Sequence, residues 1–359
     1  MFDFKEFLVS NKNKVDDIKN VAEKIVIFGA GNTSRLYENC FIEECSKLAG
    51  FADNDLRKQG KYFLGGHKVV SLQDIKREYG ENVLILISSA MDRVYWSIAN
   101  QLDGMGYKYI TADAYFFAKH INELLECYES FDDEESANLY ADLIRYRIDR
   151  QRPKLPFPYG EAYFAKPDFV DFLGDEVFVD MGAFVGDTIE RYIYLHQGYF
   201  GKIYAFEPDE KNFGAMKKRV ERLKSEWGFE EDKIELIQAG VGKISSMQYI
   251  IQAGLGSCLT EYKSENVAEN AVNVVALDDF FADQKVGFLK ADIESFEYDM
   301  LLGAEQVIRR DHPKIAICIY HNASDMYRIM LWIKHLNQNY HFSLGHHTVF
   351  QGDTVLYAW

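Results

Sequence analysis

Two segments of the sequence lead from a short apolar run, through a glycine loop, into a helical pattern. The first is KIVIFGAGNTSR at Lys24–Arg35, and the second is EVFVDMGAFVGDT at Glu176–Thr188. A β-rich run followed by glycines and a helix is the usual opening of an open parallel α/β sheet. The chain has 359 residues, and domains average about 150 residues. We therefore expect two α/β domains.

The first opening is followed by alternating strand and helix patterns. The predicted strands are Leu48–Asp53, Lys68–Val70, Asn82–Ser88 and Tyr107–Thr111, and the predicted helices are Ser71–Tyr79 and Asp92–Met105. Such alternation predicts a doubly wound, Rossmann-like domain over residues 1–118.

The second opening starts a longer domain, predicted over residues 170–359. The predicted strands are Val177–Asp180, Lys202–Phe206, Ile234–Gln238, Val286–Asp292 and Lys314–Tyr320, and the predicted helices are Asp187–His196, Asp209–Lys224, Ser295–Arg309 and Ser324–Asn337. The end of the chain alternates apolar and polar residues around Gly352–Asp353, which predicts a terminal antiparallel hairpin. An insertion at Ile244–Val275, with Gly254 and Gly256, predicts extra β-structure or a lid.

Residues 119–169 are expected to connect the two domains. Glu123–Glu135 holds seven acids and no base, and an arginine-rich stretch follows it. The pattern predicts a helical connector with solvated faces. Pro153, Pro156 and Pro158 then predict a linker in which no helix continues.

The charge balance limits the partners. The chain has 40 basic and 56 acidic residues, a net charge of −16. An acidic surface argues against nucleic acid or an anionic membrane as the main partner. Five scattered cysteines without a C-x-x-C pair favour a reducing compartment. No apolar run is long enough for a signal peptide core or a membrane span, so a cytoplasmic protein is expected.

The second glycine loop carries acids where a phosphate would bind. Gly182 and Gly186 are followed by Asp187, predicted to cap the helix, and Asp180 lies at the strand tip. A like charge at this position disfavours a dinucleotide. S-adenosylmethionine (SAM) fits better, because it has no phosphate and carries a sulfonium and an amine. Glu207, at the tip of the next strand, can accept ribose hydroxyls.

An ordered set of motifs resembles the FkbM-type class I SAM-dependent methyltransferases. The motifs are DMGAFVGDT, FEPD, LDDFF and KADIESFE, followed by a histidine after the fifth strand, and they span roughly Val170–Trp359. The resemblance implies that the cofactor is SAM. The implied cofactor-binding residues are Asp180, Gly182, Ala183, Gly186, Asp187, Thr188, Glu207, Asp209, Gln238, Ala239 and Gly240.

The resemblance also implies that Asp292 and Glu294 line the methyl-transfer side of the pocket. Ser295 stands where the family pattern has glycine. We therefore expect the backbone at Ser295 to lack a positive φ or a very close ligand approach.

The first glycine loop has no acid and can receive a phosphate. Its candidate nucleotide-binding residues are Gly29, Gly31, Asn32, Arg35 and, at the tip of the second strand, Asp53 as a ribose acceptor. Ser34 in place of the third glycine weakens a dinucleotide fingerprint. The domain resembles the small Rossmann-type units that precede sugar-modifying acyltransferases, which implies a nucleotide-linked sugar as ligand. A scaffold without ligand and an NAD site remain alternatives.

The chemistry requires a base for the acceptor hydroxyl. His321 follows the fifth strand and is the predicted general base, together with Asp292 and Glu294 as catalytic residues. Alternatively, His321 orients the following helix or packs against Asp325. No metal is expected, although Asp292, Glu294 and His321 form a variant hypothesis for Mg²⁺.

The sequence therefore predicts a SAM-dependent methyltransferase. The expected reaction is O-methylation of a small-molecule or glycan acceptor, a saccharide, in surface-glycan or secondary-metabolite biosynthesis. Two alternatives stay open at this point. One is an NAD(P)-dependent nucleotide-sugar oxidoreductase, and the other is a non-catalytic module that binds SAM or a nucleotide sugar.

Overall fold

The structure is a computed structural model that describes residues 2–37, 40–41, 45–152, 162–170, 175–253, 256–260 and 271–359. The chain divides into two compact units. The first comprises Met1–Phe157 with the segments Tyr320–Tyr327 and Thr348–Gly352, and the second comprises Pro158–Ile319, Arg328–His347 and Asp353–Trp359.

The first unit is built on a five-stranded parallel sheet. Its strands are β1 (Lys24–Phe28), β2 (Leu48–Ala52), β3 (Val69–Val70), β4 (Val83–Ile87) and β5 (Lys108–Thr111), in the order β3-β2-β1-β4-β5. The flanking helices are α1 (Phe4–Val21), α2 (Asn32–Leu36), α3 (Ile75–Tyr79), α4 (Asp92–Gly104) and α5 (Ala112–Phe117). Every residue of β4 is buried, as expected for a central strand covered on both faces. The Rossmann-like fold predicted for this part of the chain is confirmed.

The predicted helical connector contains two helices, α6 (Ile121–Glu129) and α7 (Glu134–Asp149). They are part of the first unit. The basic half is not only a solvated face, because Arg147 is buried and pairs with Asp113 at 3.2 Å. The linker predicted at Pro153, Pro156 and Pro158 lies outside the described residues.

The second unit is built on a seven-stranded sheet. Its strands are β6 (Val177–Met181), β7 (Lys202–Phe206), β8 (Ile234–Ile237), β13 (Phe288–Ala291), β14 (Lys314–Cys318), β15 (Phe342–His346) and β16 (Thr354–Ala358). The order is β15-β16-β14-β13-β6-β7-β8, and only the pairings of β16 are antiparallel. The parallel sheet with a terminal antiparallel hairpin is therefore confirmed.

The helices of the second unit follow the prediction with two exceptions: the short helix Leu277–Phe280 was not predicted, and one predicted helix is divided in two. They are α8 (Asp187–Leu195), α9 (Glu210–Trp227), α10 (Leu277–Phe280), α11 (Glu297–Leu302), α12 (Glu305–Asp311) and α13 (Asp325–Leu336). A single helix was predicted over Ser295–Arg309, but the structure has two. The break lies at Gly303, where a Cβ would come 2.2 Å from the carbonyl oxygen of Gly242. The chain needs glycine at this close approach, and glycine weakens a helix.

The insertion contributes three strands to a separate four-stranded sheet, and the strand before it supplies the fourth. Its strands are β9 (Gly240–Val241), β10 (Ser246–Ala253), β11 (Gly256–Thr260) and β12 (Ala271–Val275), in the order β11-β10-β12-β9. This is the extra β-structure that was one of the two expectations for the segment. Gly254 lies outside the described residues.

None of the helices in the described ranges combines the length and the apolar composition that a membrane crossing requires.

Candidate functional site

The second unit contains a cavity of about 260 Å³ beyond the carboxyl ends of β6, β7 and β13. Ligands of open α/β sheets bind at this edge. Four carboxyl groups and one ammonium line the cavity, those of Asp187, Glu207, Asp292, Glu294 and Lys290. Acids outnumber bases by four to one, so the cavity favours a ligand that carries positive charge.

Glu207 follows β7 and is held in one orientation. Its Oε2 accepts a hydrogen bond from the Phe184 N–H, and its Oε1 accepts one from the Asp209 N–H, both at 2.9 Å. The residue is only 6% exposed, and burial raises the pKa of its carboxyl group to about 7. Each carboxylate oxygen can accept more than one hydrogen bond. Glu207 therefore keeps acceptor capacity for hydroxyl groups in the cavity.

Gly182 lies at the closest approach of two loops. Its φ is +74°, and a Cβ would come 1.9 Å from the carbonyl oxygen of Asp292. Any side chain would push the loop after β6 away from the loop after β13. The glycine predicted for the cofactor loop is therefore required by the backbone itself.

Asp180 and Lys290 form a buried ion pair, with Nζ 2.9 Å from Oδ1. They are directly opposite each other in the register of β6 and β13. Burial alone would lower the pKa of Lys290, but the adjacent Asp180 and Asp292 carboxylates raise it above its usual value. Lys290 lines the cavity and donates to the Gly182 carbonyl at 2.9 Å, whereas Asp180 is not among the lining residues. Asp180 thus orients Lys290 below the cavity.

Asp187 does not cap the helix, so this prediction was wrong. Gly186 occupies the N-cap position of α8 with a left-handed φ of 80°, and Asp187 is the first helical residue. The helix starts one residue earlier than a capping aspartate would allow, and the exposed Asp187 side chain lines the cavity instead. Asp209, in contrast, is an N-cap, since its Oδ1 accepts from the backbone N–H groups of Lys211 and Asn212 at 3.0 Å.

The loop after β13 brings two predicted catalytic carboxylates to the cavity. The Tyr163 hydroxyl donates to Oδ2 of Asp292 at 2.8 Å, and Glu294 lines the cavity beside it. Of the two alternatives expected at Ser295, the lack of a positive φ was wrong, because its φ is 82° and that of Glu294 is 53°. Glu297, which is fully buried, accepts from the Ile293 N–H at 2.9 Å and ties the loop into this conformation. A left-handed backbone outside glycine stores about 1–3 kcal/mol, and such strain clusters at functional sites.

The remaining predicted residues divide into two groups. Thr188, Ala239 and Gly240 line the cavity, whereas Ala183, Gly186 and Gln238 are not among its lining residues. His321 lies in the segment Tyr320–Tyr327 of the first unit. It is buried, and its ring centroid is 4.0 Å from that of Tyr320.

Eight lining residues were not predicted: Tyr163, Phe184, Phe206, Pro208, Asn212, Val241, Lys290 and Ile293. Tyr163 precedes the second glycine loop and belongs to no motif. Phe184 lies inside the loop, is 46% exposed and has a φ of 46°. No sequence pattern predicts this exposure or this backbone conformation. A lysine in the middle of an apolar strand was the available signal for Lys290, because a buried ammonium requires a nearby carboxylate.

The first unit contains a second cavity, of about 430 Å³. Gly29, Gly31 and Asp53 line it as predicted, whereas Asn32 and Arg35 are not among its lining residues. The Arg35 guanidinium instead lies over the ring of Phe63, 4.8 Å from its centroid. Oδ2 of Asp53 accepts from the Ala30 N–H at 2.9 Å and from the Lys58 ammonium at 2.8 Å.

Comparison with known proteins gives one family match, which covers less than half of the chain. Residues 180–342 match the family model described as the methyltransferase FkbM domain. A solved structure, methyltransferase FkbM from Methylobacillus flagellatus KT, is similar over 99% of both chains, with 19% identity and a TM-score of 0.60. At this identity the likeness supports the fold.

Two further solved structures cover about half of the chain. An rRNA methylase from Streptococcus thermophilus has 18% identity and a TM-score of 0.32, covering 52% of this chain and 86% of its own. Fibrillarin from Aeropyrum pernix, in complex with natively bound S-adenosyl-L-methionine, has 13% identity and a TM-score of 0.30. The similarity covers 52% of this chain and 66% of fibrillarin. No curated protein matches the chain. The match over residues 180–342 supports a methyltransferase that takes its methyl group from SAM.

Proposed function

We propose that the protein transfers a methyl group from SAM to an oxygen atom of a saccharide. The observation that carries the proposal is the acidic cavity at the carboxyl edge of the second sheet, with Glu207 held by two backbone N–H groups. The family match and the acid-rich lining favour methyl transfer over the oxidoreductase alternative.

The cavity residues fit the chemical groups of SAM. Glu207 would accept the ribose hydroxyls, because its orientation is fixed and its oxygens retain acceptor capacity. Gly182 leaves the loop backbone open to close approach. Asp187, together with Asp292 and Glu294, supplies negative charge that complements a cationic ligand. When bound, SAM supplies an electrophilic methyl group on a sulfonium.

The far side of the cavity suits a hydroxylated acceptor. Asp292 and Glu294 offer carboxylate oxygens that can accept hydrogen bonds from hydroxyl groups, and the rings of Tyr163 and Phe184 lie in the same lining. A few convergent polar groups beside aromatic surface are typical of small-molecule sites. This combination supports a saccharide as acceptor.

Deprotonation of the acceptor hydroxyl needs a base. His321 remains the proposed general base, as the sequence suggested. Asp292 is the second candidate, because it lines the cavity and accepts a hydrogen bond from Tyr163. The variants His321→Ala and Asp292→Asn distinguish the two candidates. The general base is the one whose loss lowers kcat at least a hundredfold while binding of S-adenosylhomocysteine is retained.

The biosynthetic context also remains a proposal, namely surface-glycan or secondary-metabolite formation in the cytoplasm. A nucleotide-linked sugar is the proposed partner of the first unit. Its cavity contains the glycine loop and Asp53, as the sequence led us to expect.

Calorimetric titration with S-adenosylhomocysteine tests the cofactor site. Wild type should bind, Glu207→Gln should bind at least about tenfold more weakly, and Glu210→Gln should match wild type. Glu210 is a suitable control because it is an exposed acid in the same segment and is not among the lining residues. Equal affinities of all three proteins would contradict the assigned role of Glu207.

The acceptor class is tested by methyl transfer from isotopically labelled SAM to free sugars, nucleotide sugars and lipid-linked glycans. Transfer to at least one saccharide, with the label on oxygen, supports the proposal. Transfer to catechols or amines but to none of the saccharides would overturn it.

A further inference from the structure

The two cavities of the protein have opposite charge balance. The second unit's cavity is lined by four acids and one base, whereas the cavity of the first unit is lined by Lys58, Arg93 and one acid, Asp53. In a chain with a net charge of −16, a lining with more bases than acids is unexpected. Such a lining attracts an anion.

The acid in this cavity is already engaged. Oδ1 of Asp53 accepts from the Asp55 N–H at 2.8 Å, and Oδ2 accepts from the Ala30 N–H and the Lys58 ammonium. The carboxylate therefore fixes the glycine loop and Lys58, and this arrangement competes with a role as ribose acceptor. Asp53 acts as a positioning residue for Lys58, whose Nζ is 3.6 Å from the position of a Cβ at Gly31.

Arg93, at the start of α4, is an available cation. It lines the cavity, and within the part of the chain that the structure describes it has no ion pair. Lys58 and Arg93 thus present two positive charges to the same cavity. The charge of Lys58 is neutralised by Asp53, and that of Arg93 is available for a ligand.

Ser88 gives independent evidence for a ligand. The residue follows β4, lines the cavity and is 6% exposed. Among the described residues its buried hydroxyl has no hydrogen-bond partner. A buried hydroxyl without a partner costs about 1–3 kcal/mol, so native structures keep one where something else satisfies it. Gly29 packs directly against this residue, since a Cβ there would meet the Ser88 carbonyl at 2.6 Å.

We propose that the cavity of the first unit binds the diphosphate of a nucleotide-linked sugar, with Lys58 and Arg93 as cationic contacts and the Ser88 hydroxyl as a donor. The proposal deepens the partner named above and rests on it only for the choice of ligand. A diphosphate provides several anionic oxygens, which two cations and a hydroxyl can bind together.

The test is calorimetric titration of the full chain with pyrophosphate, UDP-glucose and NADH. Arg93→Gln is the main variant, because the side chain has no ion pair to lose within the described ranges. Arg57→Gln is its matched control: it removes the same charge from an exposed residue that pairs with Asp55 outside the cavity. The thermal unfolding midpoint of each protein is measured without ligand.

We expect pyrophosphate and UDP-glucose to bind wild type, and Arg93→Gln to weaken both at least about tenfold while Arg57→Gln leaves them unchanged. Ser88→Ala should weaken binding by a smaller factor without lowering the unfolding midpoint. If Ser88 had only a structural role, its loss would lower the unfolding midpoint and leave binding unchanged. Absence of pyrophosphate binding, or equal weakening by Arg93→Gln and Arg57→Gln, would overturn the proposal.

The ligands separate the two proposals. Pyrophosphate binding without UDP-glucose binding would support the anion site and refute the nucleotide-sugar partner. NADH binding tighter than that of UDP-glucose would refute the ligand class. Titration with S-adenosylhomocysteine on the same samples reports on the second unit, so failure of the methyltransferase proposal is seen separately.

Discussion

The variant Glu207→Gln tests the electrostatics of the acidic cavity directly. Burial raises the pKa of the Glu207 carboxyl group from its ordinary value of 4.5 to about 7. Because the folded-state value is the higher one, the stability contributed by this group is fully present below pH 4.5 and is lost as the pH rises through about 7. At about 1.4 kcal/mol for each pH unit between the two values, the loss is about 3 kcal/mol.

Glutamine cannot ionise, so the variant lacks this pH dependence. Its amide also places an NH₂ group near the N–H of Phe184 or Asp209, which costs stability by an amount that does not vary with pH. The difference in the free energy of unfolding between variant and wild type should therefore shift by about 3 kcal/mol toward the variant between pH 4.5 and pH 8.

The measurement is urea unfolding in the absence of SAM, followed by tryptophan fluorescence at several pH values. Three of the four tryptophans, Trp227, Trp332 and Trp359, belong to the second unit, so the signal reports mainly on the unit that contains Glu207. Glu210→Gln is the control, an exposed acid in the same segment, and its difference should not shift by about 3 kcal/mol toward the variant over this pH range. If the difference for Glu207→Gln does not change with pH, the carboxyl group does not titrate near neutral pH and the reasoning fails.

Three further predictions concern the backbone and the buried charges around the cavity. Gly182→Ala should lower the thermal unfolding midpoint and abolish S-adenosylhomocysteine binding, because a Cβ there meets the Asp292 carbonyl. Gly214→Ala is the control, since a Cβ at this helical position meets nothing within 4 Å. It should raise the free energy of unfolding by up to about 1 kcal/mol. Ser295→Gly should stabilise the protein by about 1 kcal/mol in urea unfolding, because it relieves the left-handed conformation, and no gain would show that the strain is absent. Lys290→Met should cost about 3–5 kcal/mol by leaving Asp180 buried and unpaired, and Lys290→Met combined with Asp180→Asn should recover most of the loss in the same assay. A double variant no more stable than the single one would refute the pairing argument.

The strands were predictable because their signals are local. Lys202–Phe206 has the predicted bounds, and Val177 and Ile234 are the predicted first residues of their strands. A short apolar run between glycines or charged residues predicts a strand without knowledge of the strands that it packs beside. The acid at the tip of β7, Glu207, could be located from the same pattern.

The contacts within the site depend on the tertiary fold and could not be predicted. Lys290 meets Asp180 only because two strands distant in sequence share one register. Tyr163 reaches Asp292 from 129 residues away. The backbone at Ser295 was predicted from residue preference, but the surrounding loop imposes a positive φ that serine disfavours.

Gly182 and Ser295 differ in the substitutions that the fold tolerates at each position. At Gly182 the backbone conformation and the neighbouring carbonyl both exclude a side chain, so the position tolerates only glycine. At Ser295 the positive φ and a buried hydroxyl without a hydrogen-bond partner among the described residues both disfavour the side chain, but it is accommodated. Exchange between serine and glycine is therefore possible in both directions. Chains that share this backbone should therefore drift at the second position and stay fixed at the first. A sequence pattern that demands glycine at both would miss relatives whose site has the same shape.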